Sequence, residues 1–254
     1  MIKILIFSLL FTVTAQAKVK TEKVEYKSGE LTFEGFLAYD TASQGKKPGV
    51  MIIHNWMGVT AETESKAIEV AKLGYIAFAG DIYGKGIRPK DAVEAGALAG
   101  KYKADLKTLR ERAALAILEL RKNKRVDASK IFVTGYCFGG TAAIEVARSG
   151  ADVKGVVSFH GGLTPSTDDK NIKGQVLILH GAVDPYISKA DFDGFVKGMN
   201  DAHVNYELNS YSNAVHSFTE KGAGNDNSKG AAYNETADKR SWIAMKEFLA
   251  ELSN

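Results

Sequence analysis

The sequence predicts an α/β fold: a mainly parallel sheet covered on both faces by helices, in a single domain. Three observations carry this. Short apolar, β-prone runs alternate with helix-period segments along nearly the whole chain. Some runs are continuously apolar, Val50-Met51-Ile52-Ile53 among them, as strands buried on both faces require. A third run, Lys130-Ile131-Phe132-Val133-Thr134, enters Gly135-Tyr136-Cys137-Phe138-Gly139-Gly140 and leaves through a small-residue helical stretch, 141–148. Strand, sharp glycine-framed turn and helix form the layout of a nucleophile elbow, here with Cys where many hydrolases have Ser.

The chain has 254 residues, 45% hydrophobic and 25% charged, enough for a full α/β core. No internal repeat or linker divides it. The net charge of +3 is spread without a basic block, so neither nucleic acid nor an anionic membrane surface is an expected partner. Residues 1–17 read as a signal peptide: Lys3, the apolar run 4–13, then Thr14-Ala15-Gln16-Ala17. The apolar run is too short for a stable membrane anchor. No Cys follows Ala17, so no lipid anchor is expected. Cleavage after Ala17 would leave a periplasmic or secreted domain of residues 18–254.

The elements follow in order. Residues 20–27 and 31–39 alternate around Ser28-Gly29-Glu30, a hairpin at the sheet edge. Residues 41–48 read as a polar loop, broken by Gly45 and Pro48. After the strand 50–53 and the loop His54-Asn55-Trp56-Met57-Gly58, Thr60 can cap a helix that runs to Leu73 and stops at Gly74. Residues 75–79 are a strand. Residues 91–99 and 104–123 are helical, the second with Leu106, Leu109, Ala113, Ile117 and Leu120 on one stripe. Beyond the elbow come strands at 153–159, 175–179 and 204–211, and helices at 188–199 and 236–252. Residues 222–230, rich in Gly, Asn, Ser and Lys, read as a surface loop.

Cys137 is the only cysteine. A lone Cys is usually a small buried hydrophobe. The glycine frame, the helix N-terminus after it and the expected oxidising compartment argue for a reactive thiol instead. A thiolate needs a base, and the base an orienting carboxylate. In the elbow architecture the chain order is nucleophile, acid, histidine. His180-Gly181-Ala182-Val183-Asp184-Pro185 offers Asp184; Asn213-Ala214-Val215-His216-Ser217-Phe218 offers His216. The oxyanion would be met by the backbone N–H groups of Phe138 and Trp56. Tyr83, Arg88, Tyr186 and Phe218 are candidates for the substrate pocket. His54, His160 and His180 end strands at the same rim. Their spacing does not suit a metal site, so they are expected to hold loops through ring hydrogen bonds. His203 reads as solvent-exposed. No metal and no cofactor are expected.

The Gly-Tyr-Cys-Phe-Gly-Gly, His-Gly-Ala-x-Asp-Pro and Val-His-Ser-Phe segments together resemble the dienelactone hydrolase family. So do Gly80-Asp81-Ile82-Tyr83-Gly84 and the ending from Ala232-Tyr233-Asn234 to Arg240-Ser241-Trp242. The resemblance implies an α/β-hydrolase fold, a triad of Cys137, Asp184 and His216, and hydrolysis of small esters or enol-lactones through a thioester. Two positions depart from the family pattern. Asn55 stands where the family has a Glu that helps control ionisation of the cysteine. Glu220, after Thr219, stands near where the family has an Arg for the substrate carboxylate. A carboxylated lactone would then meet repulsion unless Lys85, Arg88 or Lys221 reaches in.

The expected partner is a small ester or lactone, bound by a monomer or weak dimer that does not contact membrane once the signal is removed. The alternative is a hydrolase-fold binding or thiol-sensing protein in which Cys137 is oxidised rather than turned over.

Overall fold

The computed structural model describes residues 18–254; the signal peptide expected at 1–17 lies outside them. One eight-stranded sheet runs through the molecule, formed by β1 (Val19–Ser28), β2 (Leu31–Asp40), β3 (Lys47–Ile53), β4 (Ile76–Gly80), β5 (Val126–Tyr136), β6 (Gly155–Phe159), β7 (Gln175–Gly181) and β8 (Tyr206–Tyr211). Their spatial order is β1-β2-β4-β3-β5-β6-β7-β8. The hairpin β1–β2 is antiparallel and joins β4 antiparallel; all other pairs are parallel. This is the α/β-hydrolase arrangement, as expected. The two-residue hairpin turn works because Gly29 takes φ 56°.

Among the described residues six α-helices cover the sheet: α1 (Ala61–Lys72), α2 (Ala92–Ala104), α3 (Leu106–Lys122), α4 (Phe138–Arg148), α5 (Lys189–Asp201) and α6 (Glu235–Ser253). Strand alternation divides the core in two. Met51 and Ile53 of β3 join Val133, Val156 and Ile178 under α3, α4 and α5. Val50 and Ile52 join Phe132, Val157 and Leu177 under α1 and α6. A strand with both faces packed has no polar face to show, hence the continuous apolar runs.

Four local expectations are corrected. β3 starts at Lys47, inside the expected loop, because Lys47 and Pro48 pair with Val126 and Asp127 at the early start of β5. The register shifts just after Pro48, where the missing N–H interrupts the ladder. Leu106 is 37% exposed, since it opens α3 rather than lying on its buried stripe; Ala116 lies there instead. Helix α4 begins at Phe138, directly from the elbow. Thr60 occupies the N-cap of α1 but makes no side-chain capping bond, whereas Asp91, Asp105, Ser188 and Asn234 do cap their helices.

Register decides where the site lies. Ile53 pairs with Gly135, Tyr136 with Phe159, Phe159 with Leu179, and Gly181 with Tyr211. The loops after β3, β5, β6, β7 and β8 therefore leave the sheet side by side at its carboxyl edge, where open α/β sheets bind ligands.

Candidate active site

Cys137 leaves β5 with φ 56° and ψ −115°. Holding a non-glycine residue there costs about 1–3 kcal/mol and needs neighbours without side chains. A Cβ on Gly135 would stand 2.0 Å from the Gly139 carbonyl oxygen; one on Gly139 would stand 2.2 Å from that of Ile53. The two glycines let strand, turn and helix close on one another, and the thiol stands half-buried at the N-terminus of α4.

His216 brings Nε2 to 3.0 Å from Cys137 Sγ, and its Nδ1 lies 2.9 Å from Asp184 Oδ2. The structure thus joins the three residues in one chain of hydrogen bonds, in the expected order. Asp184 is buried, and its Oδ1 accepts the Tyr186 N–H at 2.9 Å. Burial of the His216 ring works against its protonation. The bond to Asp184 and the contact with Cys137 outweigh that and push its pKa up to about 10. The loop after His216 turns back on itself: His216 N–H donates to the Gly230 carbonyl and the His216 carbonyl accepts from Ala232 N–H.

The surrounding histidines divide. The Cys137 N–H donates to His160 Nδ1 at 3.1 Å, so His160 carries its hydrogen on Nε2 and donates to Thr219 Oγ1 at 2.8 Å. His160 is fully buried with φ 40°, and burial, then the nearby His216, keep its pKa well below the ordinary value. His54 donates from Nδ1 to the Asn55 carbonyl and accepts the Ile82 N–H on Nε2. Burial lowers its pKa to about 4. Both hold loops, as expected. His180 does not: its buried Nδ1 has no partner among the described residues, and the ring instead packs on Phe192. His203 is exposed. Among the described residues no cluster of His, Cys, Asp and Glu could hold a metal ion.

A cavity of about 440 Å³ opens above the thiol. Trp56 and Phe138 line it, and among the described residues neither backbone N–H donates to a protein acceptor. Tyr186 also lines it, with its ring edge-on to His216 at 5.2 Å. The other three pocket candidates are corrected. Tyr83 is buried, and its hydroxyl donates to the Trp56 carbonyl at 3.0 Å, fixing the loop from behind. The Arg88 guanidinium is occupied by the carbonyls of Val59 and Ile87. Phe218 is wholly buried, edge-on beneath His160.

The far wall was not foreseen. Gly96, Ala99 and Lys103 of α2 form part of it. Leu163 and Thr164 form another part, with the Thr164 carbonyl held by Arg148 Nη2 at 2.9 Å. Apart from His216, Lys103 and Asp191 are the charged residues of the lining. Lys85 pairs with Glu25, and Lys221 faces a different surface pocket. Glu220 does not line the cavity either; it turns toward Asn55 at 3.3 Å. The repulsion expected from it is therefore not built into the wall. The weak helical periodicity around Gly96 and Gly100 gave no sign that this segment faces the thiol.

Residues 33–253 match the profile of the Dienelactone hydrolase family. The chain belongs to the dienelactone hydrolase family. Membership brings the reaction class: this is an ester or lactone hydrolase. A solved dienelactone hydrolase-like promiscuous phosphotriesterase from metagenomic libraries superimposes with a TM-score of 0.88 at 34% identity, covering 93% of this chain and 99% of that one. A Bradyrhizobium protein named as a probable 2-oxo-3-(5-oxofuran-2-ylidene)propanoate lactonase is 29% identical over 188 residues, 69% of this chain and 75% of its own. A candidate carboxymethylenebutenolidase of Synechocystis is 26% identical over 253 residues, 92% of this dienelactone hydrolase family chain and 98% of its own.

Proposed function

We propose that this protein is an exported, cysteine-dependent hydrolase of small esters or lactones, working through a thioester acyl-enzyme. The observation that carries the reading is the hydrogen-bonded chain Cys137–His216–Asp184, whose thiol and imidazole line an open cavity. In this reading Cys137 and His216 rest as thiolate and imidazolium. Sulfur attacks the substrate carbonyl carbon, and the backbone N–H groups of Phe138 and Trp56 receive the oxygen that becomes negative. His216 gives its Nε2 proton to the departing alkoxide, leaving a thioester on Cys137. His216 then takes a proton from water as that water attacks the thioester, and the acid leaves as sulfur regains its charge. Asp184 keeps the imidazole in the tautomer both steps need. Thiolate is a good leaving group, so the tetrahedral adduct of an unactivated amide would return to substrate; esters and lactones suit it better.

Two findings support the rest. Cavity size and the mixed lining, apolar with Lys103 and Asp191 at its edge, suit a small molecule. Lys18 N lies 3.1 Å from Asp40 Oδ1, so cleavage after Ala17 would place a new ammonium group beside a carboxylate. N-terminal sequencing of protein recovered from the cell envelope should begin at Lys18; Met1 in that fraction would overturn the export reading.

The test of the chemistry is burst kinetics on p-nitrophenyl acetate. Wild type should release one equivalent of nitrophenolate in a burst, then turn over. Cys137→Ala should lose at least about 10⁴-fold in rate with its fold intact. Absorbance of thiolate near 240 nm should fall when His216 is replaced. A thiol that alkylates readily yet never acylates would move the protein to the thiol-sensing reading.

A further inference from the structure

Asn55 and Glu220, far apart in the sequence, touch each other. Asn55 Nδ2 donates to Glu220 Oε1 at 3.3 Å and to Glu62 Oε2 at 3.2 Å, while Asn55 Oδ1 accepts the Met57 N–H at 2.9 Å. An amide offers two donor hydrogens on one side and an acceptor on the other. One orientation serves both carboxylates and the N–H, so the buried side chain of Asn55 is held on every side. Three segments meet in it: the loop after β3, the first turn of α1, and the turn that follows His216.

Trp56 lies between the two residues thus tied. Asn55 is fixed by its side chain, Met57 by its N–H, and the carbonyl between them by Tyr83. The Trp56 N–H donates to no acceptor among the described residues, and Trp56 lines the cavity. We propose that Glu220 and Glu62 are positioning residues that hold the Trp56 oxyanion donor in place through Asn55. The proposal rests on the hydrolase reading above and deepens it.

The arrangement has a pH signature. Burial first, then the Glu62 charge, raise the Glu220 pKa to about 7; the Asn55 bond, His216 and Lys66 oppose them. The groups that face Glu220 are thus Glu62 and Lys66 from α1, Asn55 from the loop after β3, and His216 on its own segment; Tyr136, at the end of β5, also feels its charge. Above about pH 7 the bond to Asn55 is charge-assisted, and below it that assistance is lost. Acylation should therefore gain a limb near neutrality.

The experiment compares the mature wild type with Glu220→Ala, Glu220→Gln and Asn55→Asp. Burst rate and kcat on p-nitrophenyl acetate are followed from about pH 5 to 9, and amide hydrogen exchange across residues 55–58 is read without substrate. Glu220→Ala and Asn55→Asp should keep the burst amplitude, lose about tenfold in kcat with little change in KM, and exchange faster. Glu220→Gln, which can still accept from Asn55, should keep most of kcat but lose the inflection near pH 7. The proposal is overturned if Glu220→Ala leaves kcat and exchange unchanged, if its loss falls on KM alone, or if Glu220→Gln retains the inflection. A wild type with no burst, but faster exchange in Glu220→Ala, would sink the hydrolase reading and leave the clamp standing.

Discussion

On the floor of the cavity, Cys137, Asp184 and His216 come from the ends of three strands whose neighbours fix them to one another. On the facing wall, Gly96, Ala99 and Lys103 come from α2, a helix outside the sheet that packs on α3. The floor is crowded: a Cβ on Gly139 would overlap two backbone carbonyls. The wall is roomy: Gly96 has open space where a Cβ would be. The floor is also tied polar group by polar group, through His160, Thr219 and Asn55, whereas Lys103 is exposed. The three hydrogen-bonded residues are thus placed by the sheet, and the wall that faces them by an element outside it.

The largest effect should follow from breaking the floor. Gly139→Ala should cost about 3 kcal/mol or more, since the clash is with backbone at the end of β3 and not with a movable side chain. Urea unfolding measures it; a variant as stable as wild type would mean the elbow yields more readily than the glycine contacts indicate.

A middle-sized effect is electrostatic. His216 has a folded pKa of about 10 against an ordinary 6.5. The folded state therefore binds more protons than the unfolded chain between these values. The stability from His216 is present in full below about pH 6.5 and is lost as pH rises through about 10. Unfolding midpoints taken across that window should fall for wild type and stay flatter for His216→Asn. In Cys137→Ala the window should narrow, because the thiol is one of the groups that raise the histidine.

The smallest effect should come from the wall. Gly96→Leu should leave acetyl ester hydrolysis and stability close to wild type, even gaining helix propensity. It should lower kcat/KM for a bulky acyl ester by about tenfold. Equal losses on both esters would show that the wall and floor are not separable.

The same contrast explains what was legible in the sequence. Cys137 and Asp184 could be read because each follows an apolar strand run, His216 because it follows the last strand, and parallel register brings strand ends together whatever the side chains. The strands and helices could be read from the same runs. Pocket candidates chosen by nearness to a strand end fared unevenly, since a loop residue can point either way. Tyr186 faces the cavity, but Phe218, two residues after His216, turns into the core under His160, and Tyr83 turns behind the Trp56 loop. Lys103 and Gly96 could not be read, because they reach the site through tertiary packing of α2. Nor could the contact between Asn55 and Glu220, 165 residues apart in the chain.

The histidine sits just beyond β8, the outermost strand, which is paired on one side to β7 alone. Everything else at the floor is assembled by interior strands, so the imidazole is the one member of the hydrogen-bonded chain that follows an edge strand. Fraying of an edge strand is among the cheapest local openings a sheet has. Loss of β8 from that edge would part the imidazole from the thiol and leave the other strand ends, Cys137 among them, in place.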